Sequence, residues 1–449
     1  MPTPSSRPSG DADPTPQRPP DPPVSAPDDR RPRLLVLYHF LPPDDVVSAQ
    51  IFGGLCEGLA ARGWDVTARP SNRSCHDPRA RHPRRETWRG VTLRRVARPA
   101  LAQASGAGRV LNSLVVTAAW SLEALRPRAR YDAVLVGTDP VLSVTALRAF
   151  RLFRPSAKRA HWAFDVYPDA AVADGLLRKG SLAERLLARV AAAGVGAAQL
   201  VADLGPCMRS LLPASPAARR ETLPAWALVE PPAPLEADPE ERAALFGDAR
   251  LGVLYSGSFG RAHSFDEILA LARRLRGTGV RFAFAVRGNR EADLRAAVTP
   301  EDDNVSFAPF VDEAGLARRL GAADVHAVSL RPEWTGAVVP SKFQAALAAG
   351  RPVLFAGSPS AAPARWIAEH GLGFALTSDP ASVEVAARGL LALAESPAAL
   401  AALRARCHAA YAERFSREAT VGKWDAALRQ LCGLAPAPAM ASAAGLDPA

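Results

Sequence analysis

A chain of 449 residues, with 48% hydrophobic and 22% charged side chains, is long enough for two domains with real cores and is not disordered as a whole. Its net charge of +10 favours anionic partners such as nucleotides, lipid diphosphates or a membrane surface, but no recognition motif or aromatic-interleaved basic stretch points to nucleic acid. No run of eighteen apolar residues and no positive-then-apolar leader occurs, and the five cysteines (56, 75, 207, 407 and 432) form no CxxC pair, so the expectation is a cytoplasmic protein with reduced thiols and neither a disulfide framework nor a metal site.

Residues 1–31, rich in Pro, Ser and Asp, cannot bury enough apolar surface to order themselves and read as a tail. Residues 33–38 (RLLVLY) form a buried strand that runs into a loop ending Pro42-Pro43-Asp44-Asp45. A helix over 49–62 and a strand over 63–67 complete a right-handed βαβ unit of a parallel sheet. No GxGxxG is present, so the dinucleotide fingerprint is absent. Residues 79–98 carry eight Arg against one Glu. They read either as a solvated loop with an edge strand at 91–96 or as a patch for a phosphate or a membrane surface. The loosely amphipathic stretch 109–125, with Trp120, reads as a core-facing helix.

Two further strands, 131–136 and 159–164, end at Gly137-Thr138-Asp139-Pro140 and at Asp165-Val166-Tyr167-Pro168-Asp169. Ligands collect at such C-terminal strand ends. There Asp165 or Asp169 serves either as a base on a hydroxyl or as a cap of the following helix. His161, inside its strand, fits a packed histidine as well as a catalyst. Helices over 182–198 and a strand over 199–206 close a domain spanning 32–212. The Pro-rich stretch 213–240 reads as a linker to a second domain, 241–405.

The second domain opens with a strand that meets Gly257-Ser258-Phe259-Gly260-Arg261. The glycines allow close backbone approach, and Arg261 can fork onto phosphate oxygens. A strand over 281–287 turns at Gly288. A buried strand over 323–330 leads past Glu333 to Pro340-Ser341-Lys342, a helix over 343–349, Gly350 and a strand over 353–355. Ser341 is placed to cap that helix through its side chain, and Gly350 to end it. The helix start with Lys342 suits a phosphate, although an ordinary helix start reads the same way. With only four lysines in the chain, a Lys at this point carries weight. The last helices reach about residue 432, and 433–449 reads as a second tail.

Pro340-Ser341-Lys342 opening a small-residue helix, followed by Ala349-Gly350-Arg351-Pro352-Val353, resembles the donor-binding helix of family 4 glycosyltransferases. Tyr255-Ser256-Gly257-Ser258-Phe259-Gly260 resembles their diphosphate loop. His161 with Asp165-Val166-Tyr167-Pro168-Asp169 resembles the acceptor-side segment of the colanic-acid and O-antigen sugar transferase branch. The resemblance spans roughly residues 33–430. It implies an α/β GT-B fold, two Rossmann-like parallel-sheet domains facing across a cleft, with a final helix (406–432) crossing back to the first. It also implies retaining, metal-independent transfer of a sugar from a nucleoside diphosphate sugar to an acceptor hydroxyl, with no cofactor. The acceptor is a saccharide, a lipid-linked molecule or a small metabolite, which allows peripheral contact with the inner face of a membrane. Gly257, Ser258, Gly260, Arg261, Gly288, Pro340, Ser341 and Lys342 would hold the donor, and Asp165 and His161 would serve the acceptor.

The family's Glu-x7-Glu pair is missing, its positions held by Ala337 and Ala345. Glu333, four residues upstream of the first, is the candidate substitute. The loss keeps a non-catalytic GT-B scaffold open as an alternative, and a nucleotide-sugar epimerase as another.

Overall fold

The computed structural model describes residues 30–102, 106–127, 130–213, 215 and 217–436. The expected tails, 1–31 and 433–449, lie outside these residues except at their inner ends. The chain forms two α/β halves, each built on its own sheet.

The first sheet has eight strands: β1 (Arg33–Leu37), β2 (Asp65–Ala68), β3 (Arg85–Trp88), β4 (Val91–Arg94), β5 (Ala133–Gly137), β6 (Lys158–Ala163), β7 (Leu200–Asp203) and β8 (Arg219–Thr222). Their order is β3-β4-β2-β1-β5-β6-β7-β8, parallel throughout except for the β3–β4 hairpin at one edge. Its central strands are continuous apolar runs, as burial on both faces requires. The stretch read as a linker carries β8, which pairs with β7 and extends the first sheet. Only its Pro-rich remainder crosses between the halves, because Arg219–Thr222 is too polar to announce itself as a strand.

The arginine-rich stretch is not one face. Arg89 reaches Glu57 (3.2 Å), Arg94 reaches Glu123 (3.5 Å), Arg95 pairs with Glu86, and Arg98 donates to the Ser74 carbonyl (3.1 Å). The helix Gly106–Glu123 buries Trp120, whose indole N–H donates to the Arg69 carbonyl at 2.8 Å. Its other face leaves Val110, Leu111, Leu114 and Leu122 exposed, so it is core-facing on one side only.

The second sheet has six strands: β9 (Leu251–Ser258), β10 (Val280–Arg287), β11 (Val305–Phe307), β12 (Val325–Leu330), β13 (Val353–Gly357) and β14 (Gly373–Leu376). They run in the order β11-β10-β9-β12-β13-β14, all parallel.

The C-terminal end is two helices, Pro397–Arg414 and Arg417–Cys432, and not one. The break at Phe415-Ser416 lets the second return to the first half. There Asp425 accepts from the Trp64 indole at 2.7 Å, and Arg417 donates to the Gly54 carbonyl at 3.1 Å. Among the described residues no single helix is long and apolar enough to cross a membrane.

Candidate active site

The C-terminal ends of strands from both sheets border two neighbouring cavities. One, of about 340 Å³, is lined by Gly257, Ser258, Phe310, Glu313, Lys342 and Ala345, among others. The second, of about 370 Å³, is lined by Thr138, Asp139, Asp165, Tyr167 and Gln344. Ser341 and Val47 border both, so the two are neighbours.

Lys342 begins the short helix Lys342–Ala348. Burial alone lowers its ammonium to about 8, and no carboxylate pairs with it among the described residues. Its Nζ lies 3.3 Å from His263 Nε2 and 5.8 Å from the centre of the Tyr255 ring. His263 Nδ1 lies 2.9 Å from the Ser329 carbonyl and must carry the hydrogen there, which leaves Nε2 as an acceptor for the lysine. Burial and then the Lys342 charge hold the His263 imidazole down at about 4, so it stays neutral near physiological pH. The Ser329 hydroxyl, 3.1 Å from both Tyr255 Oη and the Ser264 amide, braces this arrangement. Gly257 has φ +117°, and a Cβ there would stand 3.0 Å from Lys342 Cε, so only glycine lets the lysine cross β9.

Ser341 does not cap the helix with its side chain. It is itself helical in backbone, which turns its hydroxyl away from the first turn. The Pro340 carbonyl accepts instead from Phe343 N–H at 3.2 Å, and the Ser341 carbonyl from Ala345 N–H at 3.2 Å. The hydroxyl is left at the junction of the two cavities. Gly350 ends the helix as expected: its φ is +68°, its N–H bonds the Leu347 carbonyl (2.9 Å), and Arg351 N–H bonds the Ala346 carbonyl (2.8 Å).

The remaining expected donor residues divide. Gly257 and Ser258 line the cavity with Lys342. Gly288 is a packing glycine: a Cβ would fall 2.2 Å from the Phe259 carbonyl oxygen. Gly260 faces open space save for Asn289. Arg261 borders neither cavity. It is half exposed and donates to the Asp174 carbonyl at 2.7 Å, with the Asp174 carboxylate at 3.7 Å, so it spans the halves.

On the opposite side Asp165 faces the second cavity, its carboxyl pushed up to about 6 by burial and then by Asp139. Asp139 in turn lies 3.2 Å from His39. His161 is the packed alternative. Buried on β6, it bonds the Val136 carbonyl through Nδ1 (2.9 Å), and burial lowers it to about 4. It reaches only a small void of about 30 Å³ behind Asp165. Glu333 sits on an exposed turn paired with Arg331 (2.6 Å), away from both cavities, so it does not stand in for the missing glutamates. Ala337 is buried and lends its carbonyl to Val166 N–H (2.8 Å), while Ala345 forms part of the wall of the Lys342 cavity.

His263, Gln344, Asp139 and Tyr167 were not among the expected residues. Asp139 carried a usable signal, standing at a strand end as Asp165 does; Gln344 carried only its polarity within an alanine run. Asp45, Cys75 and His76 also gather on exposed loops, with ligand atoms within 4.8 Å of one another, and His76 Nε2 lies 2.5 Å from Asp45 Oδ1.

No protein-family model matches the chain. Over 255 residues it is 28% identical to a probable glycosyltransferase, WbjE, of Pseudomonas aeruginosa, a match covering 55% of this chain and 62% of that protein. The chain thus spans less than two thirds of that relative. Among solved structures it resembles sucrose-phosphate synthase of Thermosynechococcus elongatus (TM-score 0.64, 18% identity, 90% of this chain and 100% of that one). It also resembles the catalytic domain of starch synthase IV of Arabidopsis thaliana bound to ADP and acarbose (0.61, 10%, 90% and 100%). A third is HepE of Anabaena in complex with UDP and glucose (0.59, 12%, 89% and 99%). At these identities the likeness is one of fold, and the fold is GT-B.

Proposed function

We propose that the chain is a glycosyltransferase that takes a sugar from a nucleoside diphosphate sugar and places it on an acceptor hydroxyl with retention of configuration. The observation that carries this reading is Lys342, a largely buried cation that lines the cavity of Gly257 and Phe310, has no carboxylate partner among the described residues, and follows Ser341, which borders both cavities. Burying a charge unpaired is costly, and an anionic ligand beside it offsets that cost. A diphosphate beside Lys342 and Ser341 puts its nucleoside in the cavity of Gly257 and Phe310 and its sugar in the cavity of Asp165. Departure of the diphosphate develops negative charge against a preplaced ammonium, the charge stabilisation that a metal would otherwise supply. At the far end Asp165, ionised above about pH 6, accepts the proton of the acceptor hydroxyl. Likeness to WbjE supports the reaction class. The structural neighbours' complexes with UDP and ADP support a nucleotide on the second half.

The acceptor is a saccharide, lipid-linked or small molecule in the same reading. The exposed Val110, Leu111, Leu114 and Leu122 would make peripheral contact with the cytoplasmic face of a membrane. The deciding experiment is a thermal-shift and product-release panel with UDP-, GDP-, ADP- and dTDP-sugars on the wild type and Lys342→Ala. One diphosphate that stabilises the wild type, but not the variant, supports the donor site and identifies its base. No shift with any of them defeats the reading and leaves a non-catalytic scaffold.

A further inference from the structure

We infer that the cavity beyond Ser341 takes its sugar as an uncharged ring and that the Gln344 amide fixes one of that sugar's hydroxyls. The inference rests on the donor reading above and adds the chemical class of the group transferred.

Gln344 lies two residues after Lys342 on the same helix, yet it lines the other cavity. It is 2% exposed, and its Oε1 has no hydrogen-bond partner among the described residues. A buried amide oxygen without a donor is costly, so the site is incomplete without a ligand group that donates. A hydroxyl both donates and accepts, and it satisfies the amide whichever way that amide is turned.

The facing wall fixes the charge. Asp139 and Asp165 present carboxylates, with Thr138 and Tyr167 beside them, and the lining residues include no Lys, Arg or His. Outside the lining, His39 Nδ1 lies 3.2 Å from Asp139 Oδ2, Arg98 interacts electrostatically with Asp139, and Arg109 with Tyr167. The two carboxylates already repel each other, which contributes to the raised proton affinity of Asp165. A sugar carboxylate would add a third negative charge beside two carboxylates, with no Lys or Arg in the lining to pair with it. Hydroxyls would instead donate to those carboxylates, as binding of a neutral hexose requires. Gln344 is therefore a specificity residue, distinct from Lys342, which holds the part of the donor common to every sugar.

The test is titration calorimetry with UDP, UDP-glucose, UDP-glucuronic acid, UDP-galactose and UDP-galacturonic acid, with GDP, GDP-mannose and GDP-mannuronic acid, and with ADP, dTDP and their glucose and glucuronic acid conjugates. Wild type, Gln344→Ala and Gln344→Glu are compared. Within the base series that binds, the neutral member of a pair should bind at least about tenfold more tightly than its uronate in the wild type. Gln344→Ala should lose about tenfold for the neutral donor and less than twofold for the free diphosphate. Gln344→Glu should lose more for the neutral donor. A uronate that binds as tightly as its neutral partner, or a Gln344→Ala that weakens free diphosphate and donor equally, overturns the inference while the donor reading stands. Failure of UDP, GDP, ADP and dTDP alike to bind the wild type overturns the donor reading and this inference with it. The wild-type comparison needs no variant, so a misfolded substitution leaves the test intact.

Discussion

Lys342 and Asp165 line the two neighbouring cavities, one each, and burial pushes both toward their neutral forms. Lys342 has its proton affinity lowered from 10.5 to about 8, so between those values the unfolded chain binds more protons than the folded one. Stability of the empty protein therefore rises with pH across that window. Below it the buried charge is a standing cost. Lys342→Met should raise the thermal midpoint of the empty protein by about 1–3 °C at pH 7, and should abolish its nucleotide-induced shift. Asp165 works with the opposite sign. Its carboxyl is raised from 3.8 to about 6, so the folded state holds the extra proton between those values and stability falls as pH rises through them. Asp165→Asn should remove that decline. The kcat/KM profile should show an acid limb near pH 6, and Asp139→Asn should move the limb to lower pH by removing the second cause of the shift.

The helix Lys342–Ala348 is too short to hold itself together, and its position depends on both of its ends. At the start, the Pro340 and Ser341 carbonyls close the first turn; at the end, Gly350 closes the last. A Cβ on Gly350 would lie 2.6 Å from Pro234 Cβ in a left-handed backbone conformation. Gly350→Ala should therefore cost about 2 kcal/mol in urea unfolding and should weaken nucleotide binding, since Lys342 is carried on the displaced helix. The element was legible because proline, glycine and an alanine run announce its limits. The side-chain cap was not, since a serine in that position caps only if its own backbone stays extended, and here it has turned helical.

Over the whole molecule, the last helix ties the chain's end to its beginning. Asp425 accepts from the Trp64 indole (2.7 Å) and from Arg429 (2.8 Å), and Arg429 donates to the Arg62 carbonyl (2.7 Å). Asp425→Ala strands a buried indole N–H and an arginine, and should cost about 2–4 kcal/mol. Limited proteolysis should then cut first near Phe415-Ser416, where the final helices part. Retained resistance there would show that the apolar contacts of Trp424 and Leu428 hold the helix without the aspartate.

The sequence by itself determined the two parallel-sheet halves, through buried apolar runs with glycine and aspartate at their ends. It also singled out as candidates Lys342, Gly257 and Asp165, which line the two cavities, because backbone approach, a rare lysine and a carboxylate at a strand end leave local signatures. It could not place Arg261 and Glu333, which pair with Asp174 and Arg331 and line neither cavity, or His161, which is buried against the Val136 carbonyl. Only the tertiary structure decided that His263 meets Lys342 across 79 residues, that Gln344 and Asp165 border one cavity from different halves, and that Asp139 raises Asp165. The reason is physical. Strand, turn and helix propensities are set by neighbours along the chain, whereas desolvation and charge coupling depend on which distant residues close over a group and keep water from it.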